Sequence, residues 1–328
     1  MYLSERRSCL RPARMSRQEQ FLGILDHLDD RCRVHKEGIH FCQNVLRRKD
    51  LDWEPVFRNN LCRPIHGVDL VVTVGGDGTL LQASHLLDNS IPILGVNSDP
   101  TQPEEVDRLS DEFDATRSTG YLCAATKENF EQILDKVLDG KSSPSELGRI
   151  SAKLNGKPLP TLALNDVLIA DPCPATVSRF SFRIEHHGQN SCMVNCRSSG
   201  LRVCTASGST AAMLSAGGFP MPISSKELQF MVREPISPRA ADVPLMHGRI
   251  GSDRVIKLSR FCKKYGILED HCCRCNQAKL GSKIQADNFS PVFRGFLPPD
   301  YRDSVIARDT NCSLPIFLFQ MSLSFPTA

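Results

Sequence analysis

The chain of 328 residues is 41% hydrophobic and 23% charged, a composition that is ordinary for a globular protein of about two domains. Its 40 basic and 37 acidic residues give a formal net charge of +3, which is too balanced for a protein that binds nucleic acid over a broad surface. No apolar run reaches the roughly 18 residues that span a bilayer, so we expect neither nucleic acid nor a membrane as a partner.

The first part of the chain has the order of elements that is typical of an α/β fold. Apolar residues recur at helical spacing over 19–49, which predicts a helix. The segments VDLVVTV (68–74) and IPILGVN (91–97) are nearly continuous apolar runs, as in central parallel strands. A glycine-rich turn and an amphipathic segment lie between them, so the order is strand, turn, helix, strand.

After residue 120 the pattern changes to short alternating runs separated by turn residues. The segment 127–140 predicts one helix, ended by Gly140. Alternation and turn residues predict strands at 150–156, 161–170, 178–188 and 201–209. Residues 249–312 show no clear element.

These patterns predict an α/β N-terminal domain, Rossmann-like and with a parallel sheet, followed by a strand-rich, β-sandwich-like domain. We place the α/β domain with its glycine loop at 1–120 and the mainly β domain at 121–298. Residues 299–328 form an atypical tail that we expect to be disordered.

The 14 cysteines do not indicate a disulfide framework. They are scattered through apolar surroundings, as at Cys42, Cys62 and Cys123, where a free thiol behaves as a small hydrophobic group in a reducing compartment. One cluster, HCCRC at 271–275, contains a C-x-x-C, but zinc needs two further ligands at suitable spacing. We therefore expect no metal site formed by the protein.

The turn GGDGT (75–79) places Gly75, Gly76 and Gly78 around the single acid Asp77. Glycines let backbone N–H groups approach a ligand closely, and the positive end of the following helix favours an anion there. A carboxylate beside a phosphate is useful where a hydroxyl must be activated or a magnesium ion held. The simpler interpretation is a tight turn in which Asp77 or Thr79 caps the helix.

Two further stretches carry polar side chains beside predicted strands. LNDVLI places Asn165 next to Asp166, a pair that an edge or turn position explains equally well. In LRVCTASGSTAAM a strand runs into a turn of small residues, and the hydroxyls of Thr205, Ser207 and Thr210 can bond the edges of a base or ribose. A tightly packed junction between strand and helix would also explain this composition.

Taken together, these stretches resemble the NAD kinases, and within them the plant-type NADH kinases. The matching pieces are TVGGDGTLL, PILGVNSDPTQ, RSTGYLCAAT, ALNDVLIADPCPA, SRFSFRI and VNCRSSGLRVCTASGSTAAMLSAGGFPMP, within residues 28–238. The resemblance implies transfer of a phosphoryl group from ATP, with Mg²⁺, to the adenosine 2′-hydroxyl of NADH or NAD. It also implies a homodimer.

The resemblance also implies roles for particular residues. Asp77 would be the catalytic residue beside the accepting hydroxyl, and the glycines with Thr79 would line the phosphates. Asn165 and Asp166 would contact the dinucleotide. Thr205, Ser207 and Thr210 would lie near the adenine. Ser199 stands where most of the family has an aspartate near the nicotinamide, and this departure implies a preference for NADH.

Two other functions are compatible with part of these motifs. A lipid kinase with the same glycine–aspartate loop would share the first motif, and a dinucleotide-binding protein without activity would share the later ones. The final strands of the NAD kinase family are not evident after residue 245.

The two ends of the chain bear on its location. Plant-type members often end in a peroxisomal signal, and PTA is not one. We therefore expect a cytoplasmic protein. A peroxisomal or mitochondrial location is the second choice, and the arginine-rich segment 1–17 resembles a mitochondrial presequence.

Overall fold

The computed structural model describes most of the chain. The described residues are 17–57, 63–171, 173, 175–260, 264–269, 272–279, 283–287, 293–298 and 317–322. The N-terminal segment 1–16, most of the predicted tail and His271 of the HCCRC cluster lie outside them. The seven cysteines whose side chains are described, Cys32, Cys42, Cys123, Cys173, Cys192, Cys196 and Cys204, form no disulfides.

The helices include those that the sequence pattern predicts at 19–49, after the glycine turn and at 127–140. They are α1 (Arg17–Arg48), α2 (Asp77–Ser84), α3 (Pro103–Leu109), α4 (Phe130–Leu138) and α5 (Ala212–Ser215). Short 3-10 turns occupy Ser207–Thr210 and Ala240–Leu245. In the described part of the chain, no helix is both long enough and apolar enough to cross a bilayer.

Strands account for most of the remaining regular structure of the described residues. They are β1 (Asp52–Phe57), β2 (Leu70–Val74), β3 (Ile93–Asn97), β4 (Ala125–Thr126), β5 (Ser145–Leu147), β6 (Ser151–Leu154), β7 (Lys157–Pro158), β8 (Asp166–Ala170), β9 (Ser178–His186), β10 (Gln189–Asn190), β11 (Val194–Ser198), β12 (Gly200–Cys204), β13 (Leu228–Arg233), β14 (His247–Ile250), β15 (Arg254–Arg260), β16 (Lys264–Glu269), β17 (Cys272–Lys279), β18 (Lys283–Asp287), β19 (Phe293–Phe296) and β20 (Phe317–Ser322). Strands β15 to β19 lie within 249–312, where the sequence pattern showed none.

The first sheet has the order β1-β20-β2-β3-β19-β5, with β4 also paired to β3. Its centre is parallel, since β3 runs parallel to β2, β4 and β19. Its other pairs are antiparallel, because β20 pairs with β1 and β2, and β5 pairs with β19. The expected parallel sheet is therefore confirmed at the centre only, and the sheet as a whole is mixed.

The C-terminal part of the chain returns to this first sheet. Strand β19 lies between β3 and β5, and β20 lies between β1 and β2. Residues 317–322 therefore differ from the disordered tail that we expected for 299–328. The division at residue 120 does not coincide with a change of sheet either, because β4, β5 and β19 all belong to the first sheet.

The two other sheets form the strand-rich part. One has the order β10-β9-β15-β18-β6-β7, with β11 paired to β9, and the other has the order β14-β13-β12-β8-β16-β17. A single buried cluster contains side chains of both sheets, among them Phe180 and Ile256 from one and Val167 and Phe230 from the other. The two sheets thus bury their apolar faces against each other, as packed sheets do.

We expect β20 to be required for the stability of the first sheet. Ending the chain after Pro298 removes a strand that is paired on both sides, and leaves the hydrogen-bonding groups of β1 and β2 without those partners. The melting temperature should fall by at least about 3 °C, which corresponds to roughly 2 kcal/mol for a protein of this size. Differential scanning calorimetry measures it.

The matched control for this truncation is a chain that ends after Ser322, which keeps β20 and removes only 323–328. It should melt like the full chain. Equal melting temperatures for both truncated chains and the full one would show that β20 contributes nothing to the sheet.

Candidate active site

The loop between β2 and α2 is shaped by close contacts at its first two glycines. A Cβ on Gly75 would overlap Thr79 Oγ1, and one on Gly76 would lie 2.6 Å from Ser118 Cβ. A Cβ on Gly78 would meet nothing within 4 Å, and this residue is exposed. The first two glycines therefore allow the loop to pack against Thr79 and Ser118. The lack of a side chain at Gly78 leaves open space at the start of the helix.

Asp77 is the first residue of α2, and it does not act as a helix cap. The N-cap position belongs to Gly76, and no side chain caps it. The half-buried carboxylate of Asp77 instead accepts the backbone N–H groups of Tyr121 and Leu122, each at 2.9 Å. The Cys123 thiol donates to the same carboxylate at 3.6 Å. Thr79 does not supply the cap either, so this simpler interpretation of the motif is wrong.

The neighbours of Asp77 stay neutral. Burial, and then the charge of Asp77, raises the pKa of Tyr121. The same two causes, together with its hydrogen bond to Asp77, raise the pKa of the Cys123 thiol well above its ordinary value. Neither side chain ionises near neutral pH, so neither adds a negative charge beside Asp77.

The turn that holds Asp77 is itself fixed to the end of β3. Asn97 is buried, and its Nδ2 donates to the Ser118 carbonyl at 3.1 Å. The Ser118 hydroxyl accepts the N–H of Asp77 at 3.2 Å. Gly120 has a φ of +72°, and a Cβ there would lie 2.6 Å from Asn97 Nδ2. The sequence analysis did not single out these residues. Asn97, a polar residue at the end of a buried strand, is the feature of the sequence that could have indicated them.

The predicted pair Asn165 and Asp166 lies at the start of β8, where both residues are buried. Asp166 forms an ion pair with the guanidinium of Arg202 on the neighbouring strand β12. A buried carboxylate needs such a partner, because removal from water is costly. The charge of Asp166 is therefore balanced within the protein.

The hydroxyls of the 205–210 turn bind the protein backbone in this structure. Thr205 and Ser207 both donate to the Leu164 carbonyl, at 2.5 and 2.8 Å, and the Asn165 carbonyl accepts the N–H of Thr205 at 2.9 Å. A Cβ on Gly208 would overlap the Asn165 carbonyl oxygen. The turn is thus pressed against residues 164–165.

Two further predicted side chains are engaged with nearby groups. The hydroxyl of Thr210 donates to the Ser207 carbonyl at 3.4 Å. The hydroxyl of Ser199 donates to the Glu234 carboxylate, and lies 3.3 Å from the Arg233 carbonyl. A carboxylate is therefore present beside Ser199, although the residue itself is neutral.

One buried cluster extends from the helix after the glycine loop to residue 164. Leu80 of α2, Leu122 of the turn at Asp77, and Leu164 all belong to it. Leu164 directly precedes the predicted pair Asn165 and Asp166.

One group of described side chains has the composition of a metal site. It consists of His186, His187 and Asp253, whose potential ligand atoms lie within 4.8 Å of one another. It lies at the hairpin after β9 and contains none of the predicted site residues. The side chains of the C-x-x-C at 272–275 lie outside the described part, so the absence of zinc there stays a prediction.

The mixed sheet with its glycine–aspartate loop, joined to two packed β-sheets, defines an α/β protein with a strand-rich second part. A family model for the ATP-NAD kinase N-terminal domain matches residues 15–99. The chain is 59% identical over 276 residues to a probable NADH kinase of Oryza sativa subsp. japonica, covering 84% of this chain and 85% of that protein. It is 55% identical to an NADH kinase of Arabidopsis thaliana, covering 84% and 87%. The chain belongs to the NAD kinase family.

Two solved structures share the fold. An NAD kinase from Archaeoglobus fulgidus in complex with ATP superimposes with a TM-score of 0.54 at 22% identity, covering 71% of this chain and 80% of that one. A yeast NADH kinase complexed with NADH gives a TM-score of 0.56 at 17% identity, covering 71% and 63%. At these identities the likeness supports the fold alone.

We expect Gly208→Ala to destabilise the protein, because the added Cβ would collide with a backbone carbonyl that cannot move as a side chain would. Overpacking of this kind costs about 1–3 kcal/mol. The free energy of unfolding, measured with urea, should fall by that amount.

Gly78→Ala is the matched control, since its Cβ meets no atom and alanine favours a helix by up to about 1 kcal/mol over glycine. Its stability should be unchanged or higher. Equal stabilities for the two variants would contradict the close contact at Gly208.

Proposed function

We propose that the protein is an NAD(H) kinase with a preference for NADH, which transfers the γ-phosphoryl group of ATP to the 2′-hydroxyl of the adenosine ribose. The observation that carries this proposal is the fixed carboxylate of Asp77 at the N-terminus of α2, within a loop whose Gly78 faces open space. The relatives named NADH kinase, at 59% and 55% identity, support it.

The chemistry that we assign to Asp77 is that of a base or orienting group. Its Oδ1 accepts the Leu122 N–H and the Cys123 thiol, and its Oδ2 accepts the Tyr121 N–H. A carboxylate oxygen can accept more than one hydrogen bond, including one from the ribose hydroxyl. In the transfer, a bond forms from the 2′-oxygen to the γ-phosphorus, the bond from that phosphorus to ADP breaks, and the hydroxyl proton passes to Asp77. Positioning and charge stabilisation account for most of the catalysis in such reactions.

The glycine loop is the part that we assign to the triphosphate. An anion at the start of a helix gains from its unpaired N–H groups and its dipole. Gly75, Gly76 and Thr79 set the path of the loop, and the absence of a side chain at Gly78 leaves room for phosphate oxygens. This open space supports the assignment of ATP to the loop.

The Mg²⁺ that the family implies would bind at this loop only together with the triphosphate, through its phosphate oxygens. Both oxygens of Asp77 already accept N–H groups, and Asp166 is paired with Arg202. Mg²⁺ keeps several waters and binds substrate phosphates in most nucleotide sites. We therefore propose that Mg²⁺ neutralises the negative charge of the phosphates.

The dinucleotide is assigned to residues 165–210. Asn165 lies against the turn that carries Thr205, Ser207 and Thr210. A hydroxyl that donates to the backbone, as that of Thr210 does, can still accept a hydrogen bond from an adenine amino group or a ribose hydroxyl. Asp166 orders this region through its ion pair with Arg202. Fold details belong to this proposal as well: a Rossmann-like first part holds the phosphates, and a β-sandwich-like second part holds the nucleosides.

A homodimer is also part of the proposal. The N-terminal half of α1 exposes four large apolar side chains, Phe21, Leu22, Leu25 and Leu28, each between 41% and 61% exposed. Three of them, Phe21, Leu25 and Leu28, follow the spacing of one helical face. A face of this kind supports self-association, because burying it removes apolar surface from water.

The central test is Asp77→Asn. The amide keeps the shape of the side chain but cannot take up the hydroxyl proton, and its NH₂ group would face one of the two backbone N–H donors. We expect kcat for NADPH formation to fall by about 10²–10⁴-fold, while NADH still binds. Stopped assays of NADPH formation and calorimetric titration with NADH measure the two effects.

Asp107→Asn is the matched control, since Asp107 is an exposed acid on α3 outside the loop. It should leave kcat unchanged. Turnover of Asp77→Asn within a few-fold of the unmodified protein would remove Asp77 from the reaction.

The preference for NADH can be tested at Ser199 and Glu234. Oxidised nicotinamide carries a positive charge, and a carboxylate about 5 Å away at an effective dielectric near 20 would favour it by up to roughly 3 kcal/mol before screening. Ser199→Asp alone would set two carboxylates in contact, so we combine it with Glu234→Gln. Compared with Glu234→Gln alone, the double variant should raise kcat/KM for NAD relative to NADH by about tenfold, because the two differ by one carboxylate.

Glu234→Gln by itself is the control for this pair, and it should lower the same ratio or leave it unchanged. A double variant that is folded and active with the same ratio as Glu234→Gln would show that the preference is set elsewhere.

A further inference from the structure

The hairpin at the end of β9 and the turn before β15 bring two imidazoles and one carboxylate together. These side chains belong to His186, His187 and Asp253, and their potential ligand atoms all lie within 4.8 Å of one another. The three residues are separate from those that we assign to ATP and to the dinucleotide. The sequence analysis did not find the group, because the carboxylate comes from a different part of the chain.

The loop of the hairpin explains why two successive histidines meet. Strand β10 pairs with β9 through Gln189 and His186, so the loop consists of His187 and Gly188 alone. Both have positive φ values, +45° and +81°, as in the two-residue turns that match the twist of a hairpin. Successive side chains of a regular strand point to opposite faces. With the left-handed backbone at His187, the centroids of the two imidazole rings instead lie 4.4 Å apart.

Histidine is not the residue that best suits this turn. Asparagine followed by glycine is the preferred pair where both residues have positive φ. Histidine also adopts this conformation more often than most residues other than glycine, but as a side chain it differs from asparagine mainly in being a strong metal ligand. A backbone that is unusual for its residue is a reason to look for a function there.

The turn between β14 and β15 supplies the carboxylate. The N–H of Arg254 closes this turn by donating to the Gly251 carbonyl at 3.1 Å. A Cβ on Gly251 would lie 2.6 Å from Asp253 Oδ1, so the glycine leaves room for the carboxylate. The other oxygen, Oδ2, lies 2.5 Å from His186 Nε2. Because Arg254 pairs in register with His186, the sheet itself holds Asp253 beside the hairpin.

We propose that His186, His187 and Asp253 bind a divalent ion of the zinc type, with water completing the coordination. Imidazole nitrogen and carboxylate oxygen are ligands for Zn²⁺ and Ni²⁺, whereas Mg²⁺ prefers oxygen alone. Bond lengths of 2.0–2.2 Å place the ligand atoms of a tetrahedral site about 3.4 Å apart. The side chains of His186 and Asp253 are 41% and 47% exposed, so rotation of the side chains can bring the atoms to this spacing.

The charges around the three ligands predict how the affinity can be changed. Glu185, which precedes the histidines, is paired with Lys257 at 2.6 Å. Arg254 follows Asp253 and is exposed. Its positive charge repels a bound cation, so its removal should strengthen metal binding. A group that served only to stabilise the hairpin would not produce this effect.

The test is calorimetric titration of the full-length protein, free of any affinity tag, with NiCl₂. Ni²⁺ is the first probe because it suits imidazole, whereas Zn²⁺ also binds thiolates and the chain has 14 cysteines. We expect one Ni²⁺ per chain, and no heat from MgCl₂ at the same concentrations. His187→Asn and Asp253→Asn should each weaken Ni²⁺ at least about tenfold, and Arg254→Gln should strengthen it by about threefold.

The melting temperature without metal separates the loss of a ligand from a loss of structure. Asparagine suits the turn at position 187, so His187→Asn should melt at the same temperature as the unmodified protein or above it. Added Ni²⁺ should raise the melting temperature of the unmodified protein, because it binds the folded form, and should not raise that of this variant.

His40→Asn is the matched control, since His40 is an exposed histidine on α1 outside the group. It should leave the affinity unchanged. Absence of Ni²⁺ binding at concentrations up to about 1 mM, an affinity that His187→Asn does not change, or equal weakening by His40→Asn would each refute the site. These titrations contain no nucleotide, so they can be interpreted whether or not the protein proves to be an NADH kinase.

Discussion

The arrangement of the candidate site depends on two backbone N–H groups, those of Tyr121 and Leu122, which hold the carboxylate of Asp77. Through them the start of α2 is joined to the turn that follows α3, and through Asn97 that turn is joined to the end of β3. A carboxylate held by backbone donors cannot rotate freely, so the acid keeps one direction relative to the glycine loop. Such preorganisation is what a reaction without covalent intermediates requires of its protein.

The contacts around the hydroxyl-rich turn show how a binding region can be built from small residues. Gly208 lets the turn approach the Asn165 carbonyl closely, and Thr205 and Ser207 then bond the carbonyl of Leu164. Sequence reasoning assigned these hydroxyls to the ligand. In the structure the two hydroxyls bond within the protein, and the Thr205 oxygen also accepts the N–H of Gly208.

Local signals in the sequence predicted the central strands β2 and β3, the helix α1 and the glycine loop, because each has a strong period or a turn with special residues. The partners of Asp77 were not predicted, because every residue except proline has a backbone N–H, and residue type does not show which of these groups bind a carboxylate. The Arg202 partner of Asp166 was missed because it lies on another strand, 36 positions along the chain. The sequences of the strands after residue 249 mix polar and charged residues with apolar ones, which weakens the period of two.

The placement of β19 and β20 has a consequence for synthesis. A ribosome makes residues 70–97 long before residues 317–322, yet β20 lies between β1 and β2, and β19 lies between β3 and β5. The nascent N-terminal part would therefore emerge with unpaired strand edges, which are prone to aggregate and attract chaperones. Completion of the sheet has to wait for the last strand, and contacts of such long separation along the chain form slowly. Chaperones in the cell can therefore distinguish a chain that includes β20 from a shorter one, because only the longer chain closes this sheet.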